Sequence, residues 1–304
     1  MTVVALCQSG MVTNASQPEF DVVVVGSANL DLVASVEELP NPGQTLIATG
    51  YAEHAGGKGL NQAVACARMG AKTAFVGCVG EDDAGAGLRA ILEKEGIDTS
   101  RLIAVSAPTG RAFINVDSHG ENAIVVVSGA NASVGVETTV DLPSCRVVLA
   151  QLEIPLGTVE RVFAVARNSG ATTVLNPAPA RELPSSLLSE CDVVTPNETE
   201  SAALGGTAAL LGAGVATVVT TLGADGAKIE TRSKQTSIAP FAVTPIDTVG
   251  AGDAFIGAMC AELARGSSIE DACALGAIAG ALATTVRGAV PSLPTREAVL
   301  KARR

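Results

Sequence analysis

The chain contains no tryptophan, one tyrosine and six phenylalanines among its 304 residues. Its core must therefore be filled by Ala, Val, Leu and Ile, small side chains that let helices lie close to a sheet and suit a layered α/β fold. Basic residues are also scarce. Twenty Lys and Arg face 31 Asp and Glu, a net charge of −11, and no stretch gathers the cations into a patch. A nucleic-acid or anionic-membrane partner is not expected from such a surface. No apolar run reaches the ~18 residues of a membrane span. Residues 1–19 lack the basic start of a secretory signal and read as a flexible extension. The seven cysteines (Cys7, Cys66, Cys78, Cys145, Cys191, Cys260, Cys273) are odd in number and contain no C-x-x-C pair. That pattern predicts reduced thiols in a cytoplasmic protein, not a disulfide frame or a zinc site. His54 and His119 have no sequence partner suggesting a triad or a metal. Two phosphate-binding signatures are absent as well. No glycine-rich loop ends in Gly-Lys-Ser/Thr, and Phe255 stands where a dinucleotide fingerprint would need its third glycine.

What is present is a strand–helix grammar. Asp21–Gly26 is a β-branched run ending in glycine, as buried strands of parallel sheets are. Similar runs follow at Thr73–Gly77, Ile124–Val127, Val147–Leu152, Thr172–Leu175, Asp192–Thr195 and Thr217–Thr221. Helical patterns lie between many of them, at Asn61–Met69, Gly85–Glu95 and Leu156–Asn168. The alternation predicts a doubly wound, mostly parallel α/β sheet with helices on both faces, over residues 20–304. Two stretches break it, about 32–55 and 109–127, both strand-rich. They are expected to pair into a small sheet acting as a lid over a cleft.

Four segments carry chemistry. Asp247-Thr-Val-Gly-Ala-Gly-Asp253 opens a helix in which Phe255, Met259 and Leu263 recur every four residues. Gly250, Ala251 and Gly252 then sit at a helix N-terminus, where free N–H groups and the helix dipole favour negative charge. Asp253, on the first turn, is placed to take a proton from an attacking hydroxyl. Read by itself, the segment is also compatible with an ordinary helix start. Gly56-Gly-Lys-Gly-Leu-Asn-Gln-Ala63 brings bare backbone at Gly57 together with Lys58 and Asn61, a cation and an amide suited to sugar hydroxyls or a phosphate. A glycine-rich turn with a solvated lysine is the plainer alternative. Asn29 and Asp31 follow the first strand, in the crevice where open α/β sheets bind ligands; a strand-ending turn would look the same. Asn197 and Glu200, three apart at a helix start, could hold a hydrated Mg²⁺ or merely cap the helix.

Taken together these segments resemble the ribokinase-like carbohydrate kinases, the PfkB family, over roughly residues 20–304. Asp247–Asp253 is similar to the family's C-terminal signature and Gly56–Ala63 to its N-terminal one. The resemblance implies an ATP-dependent kinase with Asp253 as base and Gly250, Ala251 and Gly252 as anion hole. Asn29, Asp31, Gly57, Lys58, Asn61, Glu153 and Asp253 would contact the sugar. Asn197, Glu200, Thr221, Gly223 and Gly252 would serve the nucleotide, with Glu200 acting on Mg²⁺ indirectly. A potassium site would involve Asp247, Val249, Ala283, Val286, Gly288 and Ser292, largely through backbone oxygens, and the lid would join a homodimer. Asn176–Pro184 and Pro196–Glu200 look like the branch that phosphorylates D-ribose at the 5-hydroxyl. Adenosine, fructose or another sugar remain alternative acceptors, and a non-catalytic sugar-binding sensor is the alternative from another class. The scarcity of aromatics disfavours a nucleoside acceptor. One departure is the short stretch 201–216, where the family carries a longer helical segment, so a truncated helix is expected. Another is Ala277, where a polar residue near the adenine is common.

Overall fold

The computed structural model describes residues 17–139 and 141–304. The N-terminal extension expected over residues 1–19 lies, up to residue 16, outside the described residues, as does Cys7. In chain order the strands are β1 (Phe20–Val25), β2 (Asn29–Ser35), β3 (Gly50–Gly56), β4 (Thr73–Gly80), β5 (Asp98–Val105), β6 (Gly110–Val116), β7 (Asn122–Val127), β8 (Cys145–Ala150), β9 (Thr172–Leu175), β10 (Val193–Val194), β11 (Thr217–Thr221), β12 (Ala227–Glu230) and β13 (Gln235–Ile238). The helices are α1 (Lys58–Arg68), α2 (Asp83–Lys94), α3 (Val136–Thr139), α4 (Leu156–Asn168), α5 (Ser185–Ser189), α6 (Glu198–Ala203), α7 (Gly206–Gly212), α8 (Ala251–Ala264), α9 (Ile269–Ala283), α10 (Ala289–Ser292) and α11 (Arg296–Ala302).

The main sheet has the order β13-β12-β11-β10-β9-β8-β1-β4-β5. From β11 to β5 neighbours run parallel, and β12 and β13 add an antiparallel edge. β1 shows why its run has no polar alternation. Val22 and Val24 enter a core layer shared with α1, α8 and α9, while Val23 and Val25 enter a second layer shared with α4 and α5. A strand covered on both faces has to be apolar throughout. After β1 the chain winds outward to β4 and β5, then returns to lay β8 on the other side of β1. The carboxyl ends of β1 and β8 therefore border the point where the winding reverses, the usual crevice of such sheets.

Small residues set the helix spacing. A Cβ on Gly257 of α8 would stand 2.3 Å from the Cβ of Ala65 in α1, and one on Gly276 of α9 would stand 2.9 Å from the Phe255 carbonyl oxygen. Glu262, a buried carboxylate near the far end of α8, accepts from Arg265 Nη1 at 3.1 Å, Arg296 Nη2 at 3.2 Å and Ser267 Oγ at 3.2 Å. The six described cysteines are buried and unpaired. Burial pushes the Cys66 thiol up to about 12 and that of Cys78 to about 11. Among the described residues no helix is long and apolar enough to cross a membrane.

The four strands outside this sheet pair in the order β3-β2-β6-β7. Their register aligns Asp31 with His54 on one side and Ala112 on the other. Two readings need correction. Ile124–Val127, grouped with the buried runs, lies on β7, an outer strand exposed along its whole length. A β-branched run does not tell a buried strand from an edge. The strand expected at Asp192–Thr195 is regular at Val193–Val194, although Asp192 and Thr195 still bond the neighbouring strands through Thr217 and Leu175. Residues 201–216 hold only short helix, the end of α6 and the seven-residue α7, which opens at Gly206 after Gly205 at φ 85°.

Candidate active site

The loop before α8 turns through Gly250 at φ 80°, a left-handed value that a side chain would strain. A Cβ there would also stand 3.1 Å from the Ala289 Cα. The N–H of Ala251 is used by the Thr248 carbonyl at 3.3 Å. Those of Gly250, Gly252 and Asp253 donate to no protein acceptor among the described residues. An anion at this helix start thus finds donors at Gly250, Gly252 and Asp253; the backbone of Ala251 is already committed.

Asp253 is held from α1. Its Oδ2 accepts from Asn61 Nδ2 at 3.0 Å and its Oδ1 from Gln62 Nε2 at 2.9 Å. Burial raises its pKa, opposed by the Lys58 charge and by the two amides, with Glu153 adding to the rise. Asn61 has spent only its amino group. Its Oδ1 is buried without a partner and is free for a ligand hydroxyl.

Behind Asp253 lies a buried amide chain absent from the sequence reading. Gln62 Nε2 also donates to Asn176 Oδ1 at 3.0 Å, Gln62 Oε1 accepts from Gln151 Nε2 at 2.6 Å, and Asn176 Nδ2 donates to the Thr195 carbonyl at 3.1 Å. Gln62 and Gln151 are wholly buried; the Asp253 carboxylate, which can only accept, fixes which way the Gln62 amide points, while the Gln151 Oε1 is buried without a partner. The available signal was a polar amide ending an apolar strand, as Gln151 follows β8 and Asn176 follows β9.

The third wall comes from the loops after β1 and β8. Glu153 Oε2 accepts from Ser27 Oγ at 2.5 Å and from the Lys58 backbone at 3.1 Å, tying those two loops to the start of α1. Gly59 has to be glycine here: a Cβ would stand 2.5 Å from the Ser27 nitrogen. Asn29 is buried and its Oδ1 accepts from Asn131 Nδ2 at 2.6 Å, which leaves its amino group toward the crevice. Asp31 receives no protein hydrogen bond among the described residues. Burial, then the charges of Glu153 and Asp253, push its carboxyl up to about 7. The site therefore gathers Asn29, Asp31, Gly57, Lys58, Asn61, Glu153 and Asp253 around one crevice covered by β2 and β3.

A cavity of about 450 Å³ extends from Gly252 along the α8–α9 groove, reaching Thr221, Gly223, Phe241 and Ala277. Asn197 bridges Thr221 through backbone pairing, so the two loops meet. Asn197 and Glu200 form a capping box: the Asn197 Oδ1 accepts from the Glu200 N–H at 2.7 Å, and Glu200 Oε2 from the Asn197 N–H at 2.9 Å. The capping role is real, and Glu200 retains one carboxylate oxygen for a hydrated dication. Neither His54 nor His119 joins a catalytic group; the nearest carboxylate to His119 is Asp117, 3.9 Å away at the surface.

Asp247 joins two loops, accepting from the Val249 N–H at 3.0 Å and the Gly288 N–H at 2.8 Å. The carbonyls of Asp247, Val249 and Val286 accept no hydrogen bond among the described residues, whereas that of Ala283 accepts from Val286 at 3.3 Å. Free carbonyls beside an anion site are a donor set a monovalent cation fits. Ser292 turns its hydroxyl to the Ala289 carbonyl at 2.8 Å.

Residues 19–296 match the pfkB family of carbohydrate kinases. This chain belongs to that family. It is 41% identical to the ribokinase of Haemophilus influenzae over 295 residues, covering 91% of this chain and 96% of that one. The Thermotoga maritima ribokinase structure superposes with a TM-score of 0.86 at 35% identity, over 93% of this chain and 98% of the other. The structure of Arabidopsis thaliana ribokinase complexed with ribose and ATP superposes with a TM-score of 0.84 at 33% identity, over 92% and 97%. The pfkB-type sugar kinase architecture accounts for the doubly wound sheet and for its separate four-stranded one.

Proposed function

We propose that this carbohydrate kinase transfers the γ-phosphoryl group of ATP to the 5-hydroxyl of D-ribose, giving ribose 5-phosphate and ADP. The observation that carries the reading is the position of Asp253. It stands between unused N–H groups at the start of α8 and the polar crevice of Asn29, Asp31, Asn61 and Glu153. Hydroxyls bound in that crevice meet carboxylates and amides spaced around a small polyol, and no aromatic platform for a base. The similarity to ribokinases supports ribose over other sugars.

Asp253 takes the proton of the attacking hydroxyl. Its raised pKa makes it a better base near neutrality than an exposed aspartate, while Asn61 and Gln62 hold both oxygens in place. The N–H groups of Gly250, Gly252 and Asp253, with Lys58 opposite, receive the charge that develops on the phosphoryl oxygens. Transfer is direct and in line, without a covalent enzyme intermediate. Glu200, oriented by Asn197, would order a magnesium ion bound with the nucleotide, which would supply charge neutralisation at the phosphates. Potassium would sit among the backbone oxygens of Asp247, Val249, Ala283, Val286 and Gly288 near Ser292, and would keep the anion-hole loop in its active shape. Thr221 and Gly223 flank the nucleotide. The protein works in the cytoplasm, in keeping with its buried free thiols, as a homodimer joined through the small sheet.

The test is ADP release with ATP and Mg²⁺ against ribose, deoxyribose, fructose and adenosine, each with and without potassium. Turnover strongest on ribose and raised by potassium is expected. Turnover only on another acceptor would move the substrate, and ribose binding without any ADP would point to a sensor.

A further inference from the structure

The cavity beside Gly252 is polar at one end only. Of its described lining residues, Thr221, Thr248 and Thr284 alone have polar side chains; no carboxylate, amide, lysine, arginine or histidine reaches it. The Thr284 hydroxyl is committed to the Ala281 carbonyl at 2.7 Å. Hydroxyls in any case both donate and accept, so they do not tell an amino group from a carbonyl.

The direction of the cavity follows from the helix pair. Gly280 packs against the Ala251 carbonyl oxygen, where an added Cβ would stand 3.1 Å away, and Gly276 packs against that of Phe255. Helices α8 and α9 therefore run antiparallel, and moving away from the anion hole means moving from Gly280 toward Gly276. With phosphates at Gly250–Gly252, the base of a bound nucleotide comes to lie by Ala277, one turn (about 5 Å) before Ala281. The opposite wall is the extended stretch 240–245, whose side chains at Phe241, Ala242 and Val243 are apolar. Pro240 and Pro245 lack an N–H, and the backbone groups of residues 241–244 make no hydrogen bond among the described residues, so a base edge of either kind meets an uncommitted main chain.

We propose that this donor site accepts purine nucleoside triphosphates with little regard to the 6-substituent, so that GTP and ITP serve as phosphoryl donors beside ATP. The inference rests on the reading of this cavity as the nucleotide site. A pocket that hydrogen-bonds its ligand's edge with buried groups rejects the wrong edge by about 10⁴-fold or more, whereas an apolar pocket manages about 10² at most. Ala277 supplies a methyl group where an amide would read the edge.

Two measurements test this. Calorimetric binding of ADP, GDP and IDP without sugar reads the pocket alone; kcat/KM for ATP, GTP and ITP with ribose reads transfer. Affinities and kcat/KM values that stay within about 100-fold across the series are expected. Loss of more than that for the 6-oxo purines, with ATP fully active, would overturn the inference and leave the kinase reading intact. Equal binding of all three diphosphates with no transfer from any triphosphate would sink the kinase reading instead. The Ala277→Asn variant should separate ATP from GTP by at least tenfold; a series as flat as that of the parent would remove Ala277 from the base contact.

Discussion

Asp31 should make sugar binding depend on pH in the neutral range. Its carboxylate has no protein donor, unlike Glu153 with Ser27 and Lys58, or Asp253 with Asn61 and Gln62. Burial, with the charges of Glu153 and Asp253 beside it, raises it to about 7. The remaining charged neighbours are Lys58 at the start of α1, His54 opposite Asp31 on β3, and Arg111 on β6 next to the facing residue Ala112. Sugar hydroxyls donating to Asp31 require its ionised form. The apparent Kd then scales as the inverse of the ionised fraction, so ribose binds about tenfold more weakly at pH 6 than at pH 8. Calorimetric titrations across pH ~5.5–8.5 (about one and a half units either side of the step), in two buffers of different ionisation enthalpy, would also count the proton released on binding. Asp31→Asn should weaken binding and abolish both the step and the proton release, while His54→Gln should keep them. A Kd that stays flat between pH 6 and 8, or a step that survives in Asp31→Asn and vanishes in His54→Gln, would refute the reasoning. The sign for stability is the reverse. A carboxyl raised by folding favours the folded state fully below its unfolded value of 3.8, and that contribution is lost as pH rises through about 7. The empty Asp31→Asn protein should therefore melt a few degrees higher than the parent at pH 8.

Replacing Asp253 with Asn should preserve ribose affinity within a few-fold but lower kcat at least ~100-fold; near-normal turnover would remove it as the base. Gly59→Ala should lower the melting temperature and ribose affinity together, because its Cβ meets the backbone at Ser27. Gly87→Ala on α2, with nothing within 4 Å of the new methyl, should instead raise stability by about 0.5–1 kcal/mol. Glu262→Gln breaks the contacts with Arg265, Arg296 and Ser267 and should cost about 1–3 kcal/mol in urea unfolding, with kcat/KM unchanged. The exposed Ile124, Val125, Val126 and Val127 on β7 leave a sheet edge unpaired. Sedimentation at micromolar concentration should give a dimer, and a charged substitution at Val125 that leaves the dimer fully intact would take the outer strand out of the interface.

The fold was legible where glycine-terminated apolar runs alternate with helical periods, since burial on both faces permits little but β-branched residues there. It was less legible at Ile124–Val127, where an outer strand carries the same residues for another reason. In the site, the signatures at Gly56–Ala63 and Asp247–Asp253 pointed to residues that the fold does bring to one crevice. The support behind them was hidden. Gln62, Gln151 and Asn176 come from three separate segments, and only the fold brings their amides into one chain behind Asp253. The helical reading of Glu198–Ala203 named Asn197 and Glu200 without showing that they bind each other first. Asp31 and Asp253 could be named singly, yet the burial that raises both carboxyls is a property of three-dimensional neighbours.

Gly257 brings α8 against α1 closely enough that no methyl group fits between it and Ala65. One helix carries Asp253, the proposed base, and the other carries Asn61 and Gln62, which hold it. Sliding either along the other would drive backbone into backbone, so the two form a single anvil on which substrates are struck together. If the small sheet opens and closes as a cover, its motion should change how long a sugar stays and how much water enters, while the angle of attack is preserved. Variants that loosen the cover should consequently alter KM and leakage of ATP to water, and a variant that inserts bulk at Gly257 should damage the chemical step itself.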